Sequence, residues 1–134
     1  LTWTTPKQWK ENYSHTKRIV TFVIDDSTQV TVTRFEGRTG SLIANVNRWR
    51  GQLKLGPTRK SRLKYYVSYE TFNRKKFTVV KLRGPRKQKP RQGLITAFAK
   101  HNNDTWFIKL SGPNRTVLRQ RRQFMEFVSN VQFH

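Results

Sequence analysis

The chain contains no cysteine. That excludes disulfides, thiolate metal sites, iron–sulfur clusters and a cysteine nucleophile, but it leaves the compartment open, because both cytosol and periplasm hold cysteine-free proteins. Carboxylates are nearly as scarce: Glu11, Asp25, Asp26, Glu36, Glu70, Asp104 and Glu126 are the only seven, against 28 Lys and Arg. The formal net charge is therefore +21, and most cations lack an internal partner and must face solvent or a polyanion. Histidine is limited to His15, His101 and His134, which fall in expected loops or at the terminus without metal-ligand spacing. There is neither a phosphate-binding glycine motif nor a nucleophile elbow. Asp25 and Asp26 are the one adjacent acid pair, and they sit in a turn, where neighbouring carboxylates project in different directions. No catalytic residue, metal, cofactor or small-molecule substrate is expected. Long apolar runs are missing too: Ile19-Val20-Thr21-Phe22-Val23-Ile24, the longest, has strand length and falls far short of the ~20 residues of a membrane span.

What is present argues for a folded domain. Hydrophobic residues make up only 34%, yet four Trp, four Tyr and nine Phe supply large buried areas per residue. A length of 134 residues is that of one domain, 1–134, with one core. The chain begins at Leu1 instead of a methionine, so a signal, linker or tag is expected before it.

The patterning reads as α+β. Around Pro6, Trp3 and Trp9 bracket an extended segment that suits an edge strand. Residues 17–24 and 28–35 are β-branched and aromatic, joined at Asp25-Asp26-Ser27, and form a hairpin. Ser41 can cap a helix whose Leu42, Val46, Trp49 and Leu53 recur at +4, +3 and +4, with Gly56-Pro57 expected to end it. Residues 65–72 and 76–83 form a second hairpin turning at Asn73-Arg74-Lys75. The stretch from Arg83 to Gln92 is cationic, carries two prolines and no apolar side chain, and must be a loop. Residues 93–100 and 105–111 form a third hairpin across Asn102-Asn103-Asp104. A last helix runs from Asn114 to Asn130, burying Val117, Phe124, Val128 and Val131 and showing Arg115, Arg119, Arg122 and Glu126 on another face. The expected fold is an antiparallel sheet of about six or seven strands in hairpins, flanked by two main helices.

The segment from Gly40 to Leu53, GSLIANVNRWRGQL, resembles the most recognisable stretch of a family of bacterial envelope lipoprotein-type domains of unassigned function. The opening Trp3-x-x-Pro6-x-x-Trp9, the run Thr105–Pro113 and the closing Phe124-x-x-Phe127 are similar in order and spacing, so the resemblance covers nearly the whole chain. It implies a PsbP-like fold, an extracytoplasmic location (periplasm or cell envelope), synthesis as a precursor, and no catalytic residues. PsbP docks on a membrane complex through basic residues, so the resemblance also implies partner docking as an accessory subunit. The charge is the departure: it marks either specialisation for an anionic partner or a surface charged by engineering.

The docking candidates are Arg83, Arg86, Lys87, Lys89 and Arg91 of the proline-containing loop, with Arg74, Lys75 and Lys76 taken as near it and Arg59, Lys60, Arg62 and Lys64 deepening the field. Arg115, Arg119 and Arg122 of the last helix are a second group. In the helix motif, Trp49 completes the apolar stripe and reads as core, with a stacking surface as its rival; Arg48 and Arg50 either flank that surface or bond to backbone carbonyls. Asn45, Asn47 and Gln52 are expected to satisfy buried backbone groups. The expected activity is electrostatic docking on an acidic protein or assembly. The alternatives are a nucleic-acid-binding module, for which no helix-turn-helix, RNP, KH or zinc-finger motif is found, and adhesion to an anionic membrane surface.

Overall fold

A computed structural model describes residues 1–12, 18–37 and 39–134, with only the backbone of Arg18 and Ile19. His15 and residue 17, the expected start of the first hairpin, lie outside them. The strands are β1 (Lys10–Asn12), β2 (Arg18–Asp25), β3 (Thr28–Glu36), β4 (Val67–Phe72), β5 (Lys75–Arg83), β6 (Gln92–His101) and β7 (Asp104–Pro113). They form one antiparallel sheet in the order β1-β2-β3-β7-β6-β5-β4. The helices are α1 (Leu42–Gln52) and α2 (Asn114–Asn130), and a 3-10 helix spans Lys60–Tyr65. The α+β class, the hairpins and the two helices follow the expected patterning; β1 and β4 are the edge strands, but the edge strand expected between Trp3 and Trp9 falls after them at Lys10–Asn12, beyond a turn at 7–8, and residue 65, expected in the second hairpin, ends the 3-10 helix. No helix among the described residues is long and apolar enough to cross a membrane.

The central strands β6 and β7 carry the structure because both of their faces are covered. Pleating sends Ile95, Ala97, Ile108 and Leu110 to one face, where α2 lays Val117, Phe124, Phe127 and Val128 over them. Ala97 and Ala99 are small, which lets the helix approach. Trp3, Trp9, Phe22 and Phe127 close this layer toward the β1 edge with ring centroids 5.1 to 6.4 Å apart. The tryptophans around Pro6 thus contribute to packing. Leu94, Phe98 and Phe107 point to the other face, where α1 brings down Val46, Trp49 and Leu53.

Turn chemistry sets the hairpins. Asn73 and Arg74, and likewise Asn102 and Asn103, have positive φ at both positions, the pattern of a two-residue type I′ turn. The turns are a residue shorter than the sequence suggests, so Lys75 and Asp104 already belong to strands. His101 is also a strand residue and not a loop residue. At the β2–β3 turn, the Ser27 N–H donates to Asp25 Oδ1 at 2.9 Å. That bond, with the Arg119 charge adding to it, holds the Asp25 carboxyl below its ordinary value of 3.8.

Helix α1 stops about a turn before Gly56-Pro57. Ser41 Oγ accepts from the Ala44 N–H at its start. At its end the Leu55 N–H donates to Arg50 O at 2.8 Å and the Lys54 N–H to Gly51 O at 3.0 Å, a Schellman closure. Lys54 occupies the left-handed position at φ 65°, where glycine is usual. The sequence signal was misplaced because the residue doing the work of glycine is a lysine.

Three outcomes follow from this packing. Trp49, 2% exposed, should cost about 3–5 kcal/mol when truncated to alanine, read by chemical denaturation. Lys54→Gly should raise stability by up to about 1 kcal/mol, since it removes the left-handed penalty of a side chain. A depressed carboxyl stabilises the fold above its unfolded-state value and loses that contribution as pH falls through its folded-state value. Thermal melts of Asp25→Asn against the parent should therefore differ near neutral pH and converge in acid.

Candidate functional site

Strand direction separates the expected cationic groups. Strand β5 runs from Lys75 to Arg83, so Arg74–Lys76 and the loop after Arg83 lie at opposite ends of the sheet, about 26 Å apart at 3.3 Å per residue. With a screening length of about 8 Å, they do not share a field. The expectation that Arg74, Lys75 and Lys76 reinforce the loop is thus corrected. Lys75 is also engaged: its Nζ donates to Lys100 O at 3.1 Å, lies 3.0 Å from His101 Nδ1 and sits 5.1 Å from the Phe133 ring centroid.

The 3-10 helix does join the loop. Tyr66 O accepts from the Lys81 N–H, and Val67 pairs with Val80, which places Lys60, Arg62 and Lys64 beside the end of β5. The first turn of α2 arrives at the same end, its Asn114 N–H donating to Arg91 O at 2.7 Å. That helix has no side-chain N-cap and no acid in its first turn, so its positive dipole end adds to the field. No carboxylate occurs in 59–65, 81–93 or 112–125; the acids at this end are Asp25 and Asp26 of the β2–β3 turn, which line a cavity with Gln92 and Gly93. At the other end Glu36 pairs with Asp104, and Glu70 lies opposite Phe77.

The loop itself is tied down at its neck. The Gly84 N–H donates to Gln92 O at 2.8 Å, the Gln92 N–H to Gln88 Oε1 at 2.9 Å, and Arg91 Nε to Gly84 O at 2.7 Å. Arg91 is therefore a strap for the loop, half-buried, and the weakest of the five as a contact residue. The side chains of Arg86, Lys87 and Lys89 are exposed and hold no hydrogen bond or ion pair among the described residues.

Behind this end a groove of about 350 Å³ runs between β5 and α2. Lys81, Arg83 and Arg121 line it, with Tyr65, Tyr66 and Leu118. Tyr65 is 65% exposed and Leu118 52%. Arg62 and Lys64 lie 5.2 and 5.5 Å from the Tyr65 ring centroid, within cation–π reach. Sequence reasoning passed over Lys81, Tyr65, Leu118 and Arg121. The signal for Leu118 was there, an apolar residue set between Arg115 and Arg122 on the cationic side of the helix. Of the expected helix group, Arg115 begins the turn beside the loop, while Arg119 lies 3.4 Å from Thr116 Oγ1 and contributes to the field on Asp25; Arg122 is exposed.

Most polar side chains of the helix motif bond to backbone groups. Asn45 Nδ2 donates to Thr39 O and Ser41 O, both at 3.1 Å. Asn47 takes the Thr58 N–H at 2.7 Å and returns a bond to Thr58 O. Arg50 Nε donates to Gly56 O at 2.8 Å and its guanidinium lies over Tyr66, while Arg48 lies over Trp49 at 5.4 Å. Gln52 departs from expectation: it is exposed, and its Oε1 accepts from Lys109 Nζ and not from a backbone amide.

No protein-family model and no curated protein matches the chain. Solved structures do. A Bacteroides thetaiotaomicron protein superimposes with a TM-score of 0.61 at 10% identity, covering 98% of this chain and 44% of that one, so this chain spans under half of that protein. Cyanobacterial PsbP (CyanoP) from Synechocystis superimposes with a TM-score of 0.63 at 10% identity, covering 98% of this chain and 85% of that one. The chain has a PsbP-like fold.

Proposed function

We propose that this domain is a non-enzymatic binding module that docks by charge on an acidic protein or assembly, as an accessory subunit. The observation that carries the reading is the convergence of the loop after Arg83, the 3-10 helix and the first turns of α2 at one end of the sheet, around a groove without a carboxylate. Interface hot spots favour arginine and tyrosine, and exposed Tyr65 and Leu118 offer apolar contact inside the cationic rim. The PsbP-like fold supports a protein-interacting role by analogy. The likeness of the α1 motif to envelope lipoprotein-type domains supports an extracytoplasmic setting. A signal peptide ending in a lipidated cysteine in the gene upstream would bear that out; a continuous cytosolic open reading frame would contradict it.

A second reading, single-stranded nucleic acid, is favoured by one feature, the exposed Tyr65 ring between Arg62 and Lys64, which suits base stacking. Stopped-flow association with poly-L-glutamate, single-stranded RNA and duplex DNA separates the two. Reversing Lys81, Arg83 and Arg121 to Glu should slow association with poly-L-glutamate by about tenfold or more while leaving the melting temperature unchanged or raised. Unchanged association would refute docking at this end. Tyr65→Ala losing about 1–3 kcal/mol of RNA affinity, with affinity dropping about 10³- to 10⁵-fold between 50 and 200 mM salt, would replace the acidic protein with a nucleic acid.

A further inference from the structure

We propose that a cavity at the opposite end of the sheet binds a small organic anion that also carries a hydrogen-bond donor, such as a hydroxylated phosphate monoester or hydroxycarboxylate. This inference does not rest on the docking reading. The cavity, about 460 Å³, lies between the first turn of α1 and the sheet face that α1 covers. Its size falls within the usual range for a small-ligand site, roughly 300–1,000 Å³.

Its walls ask for an anion. Thr78 pairs with Phe98, so strand alternation places Lys76 and Lys100, two residues further on in adjacent strands, on that same face. Like charges set side by side across strands destabilise a sheet unless something between them is negative. No carboxylate lines the cavity. Lys76 Nζ lies 4.7 Å from the Tyr69 ring centroid, and the Lys100 side chain has no hydrogen bond or ion pair among the described residues.

Its floor asks for a donor. Asn45 and Thr105 both line the cavity and are 3% and 2% exposed. Because Asn45 Nδ2 already serves Thr39 O and Ser41 O, the amide orientation is fixed, and Asn45 Oδ1 is left without a partner. Thr105 Oγ1 is likewise buried and unpartnered. Buried polar groups are normally satisfied, and Asn45 Oδ1, which can only accept, beside the Thr105 hydroxyl, which can accept or donate, is met by a hydroxyl or amine entering between the lysines. Leu42 and the Phe98 ring supply the apolar wall against which a short carbon skeleton rests.

The test is amide chemical-shift titration with inorganic phosphate, glycerol 3-phosphate and malate, read at 39–45, 76–78 and 98–105 because a +21 surface collects anions elsewhere. Glycerol 3-phosphate should bind there about tenfold or more tighter than inorganic phosphate. Malate in place of glycerol 3-phosphate as the tighter ligand would assign the headgroup as carboxylate. Lys76→Gln with Lys100→Gln should weaken whichever binds by about tenfold or more. Thr105→Val should bring the two phosphates toward equal affinity, whereas Thr105→Ser, which keeps the hydroxyl, should preserve the preference. Equal affinity for the two phosphates in the parent together with no tighter malate binding, shifts spread evenly over the surface, or indifference to the lysine substitutions would each overturn the proposal.

Discussion

Twenty-eight cations against seven carboxylates leave this chain no means of neutralising itself, so its stability has to come from apolar burial and its charge has to be placed where repulsion is cheapest. Both requirements are met by covering β6 and β7 on both faces. One layer gathers Phe22, Phe77, Phe124 and Phe127 under α2; the other gathers Val46, Trp49, Leu53 and Phe107 under α1. Aromatic side chains bury much area per residue, which lets a chain with a low hydrophobic share build two layers. Cations are then pushed to strand ends, loops and the outer face of α2, with charged heads such as those of Lys64, Arg50 and Lys76 lying over the rings of Tyr65, Tyr66 and Tyr69.

The distribution of the few acids gives the surface its polarity. Glu36, Glu70 and Asp104 belong to the end where β6 turns into β7, and Asp25 and Asp26 to the β2–β3 corner. That corner lies at the same end of the sheet as the loop after Arg83 and the start of α2, where Asp25 and Asp26 line a cavity with Gln92 and Gly93; the 3-10 helix, the loop and the first turns of α2 themselves carry no acid. An uncapped helix start and a loop held by its own backbone bonds make that end both positive and ordered. Ordering matters, because a pre-arranged cationic face loses less entropy on binding than a tail of equal charge.

Much of the fold was legible because its signals were local. Alternation marked β2, β3 and the β4–β5 and β6–β7 hairpins; the +4, +3, +4 stripe marked α1; and α2 ran over the residues its pattern marked. What stayed hidden depended on tertiary placement. Lys54 ends α1 in a conformation that sequence assigns to glycine. The distance between Arg74 and Arg86 depends on which way β5 runs, and the pairing of Lys81 with Arg121 across the groove depends on where α2 crosses the sheet. Asn45 was legible as a backbone-satisfying residue, whereas its empty Oδ1 could only be seen once Thr39 and Ser41 were in place.

The central claim is that one ordered end of the sheet carries the dominant positive potential. Amide relaxation enhancement by an anionic paramagnetic cosolute, compared with a neutral analogue at low salt, measures that potential residue by residue. The largest excess is expected at 59–65, 81–91 and 114–121, falling steeply as salt shortens the screening length. An excess spread evenly over all exposed amides, or greatest around Glu36 and Asp104, would contradict it.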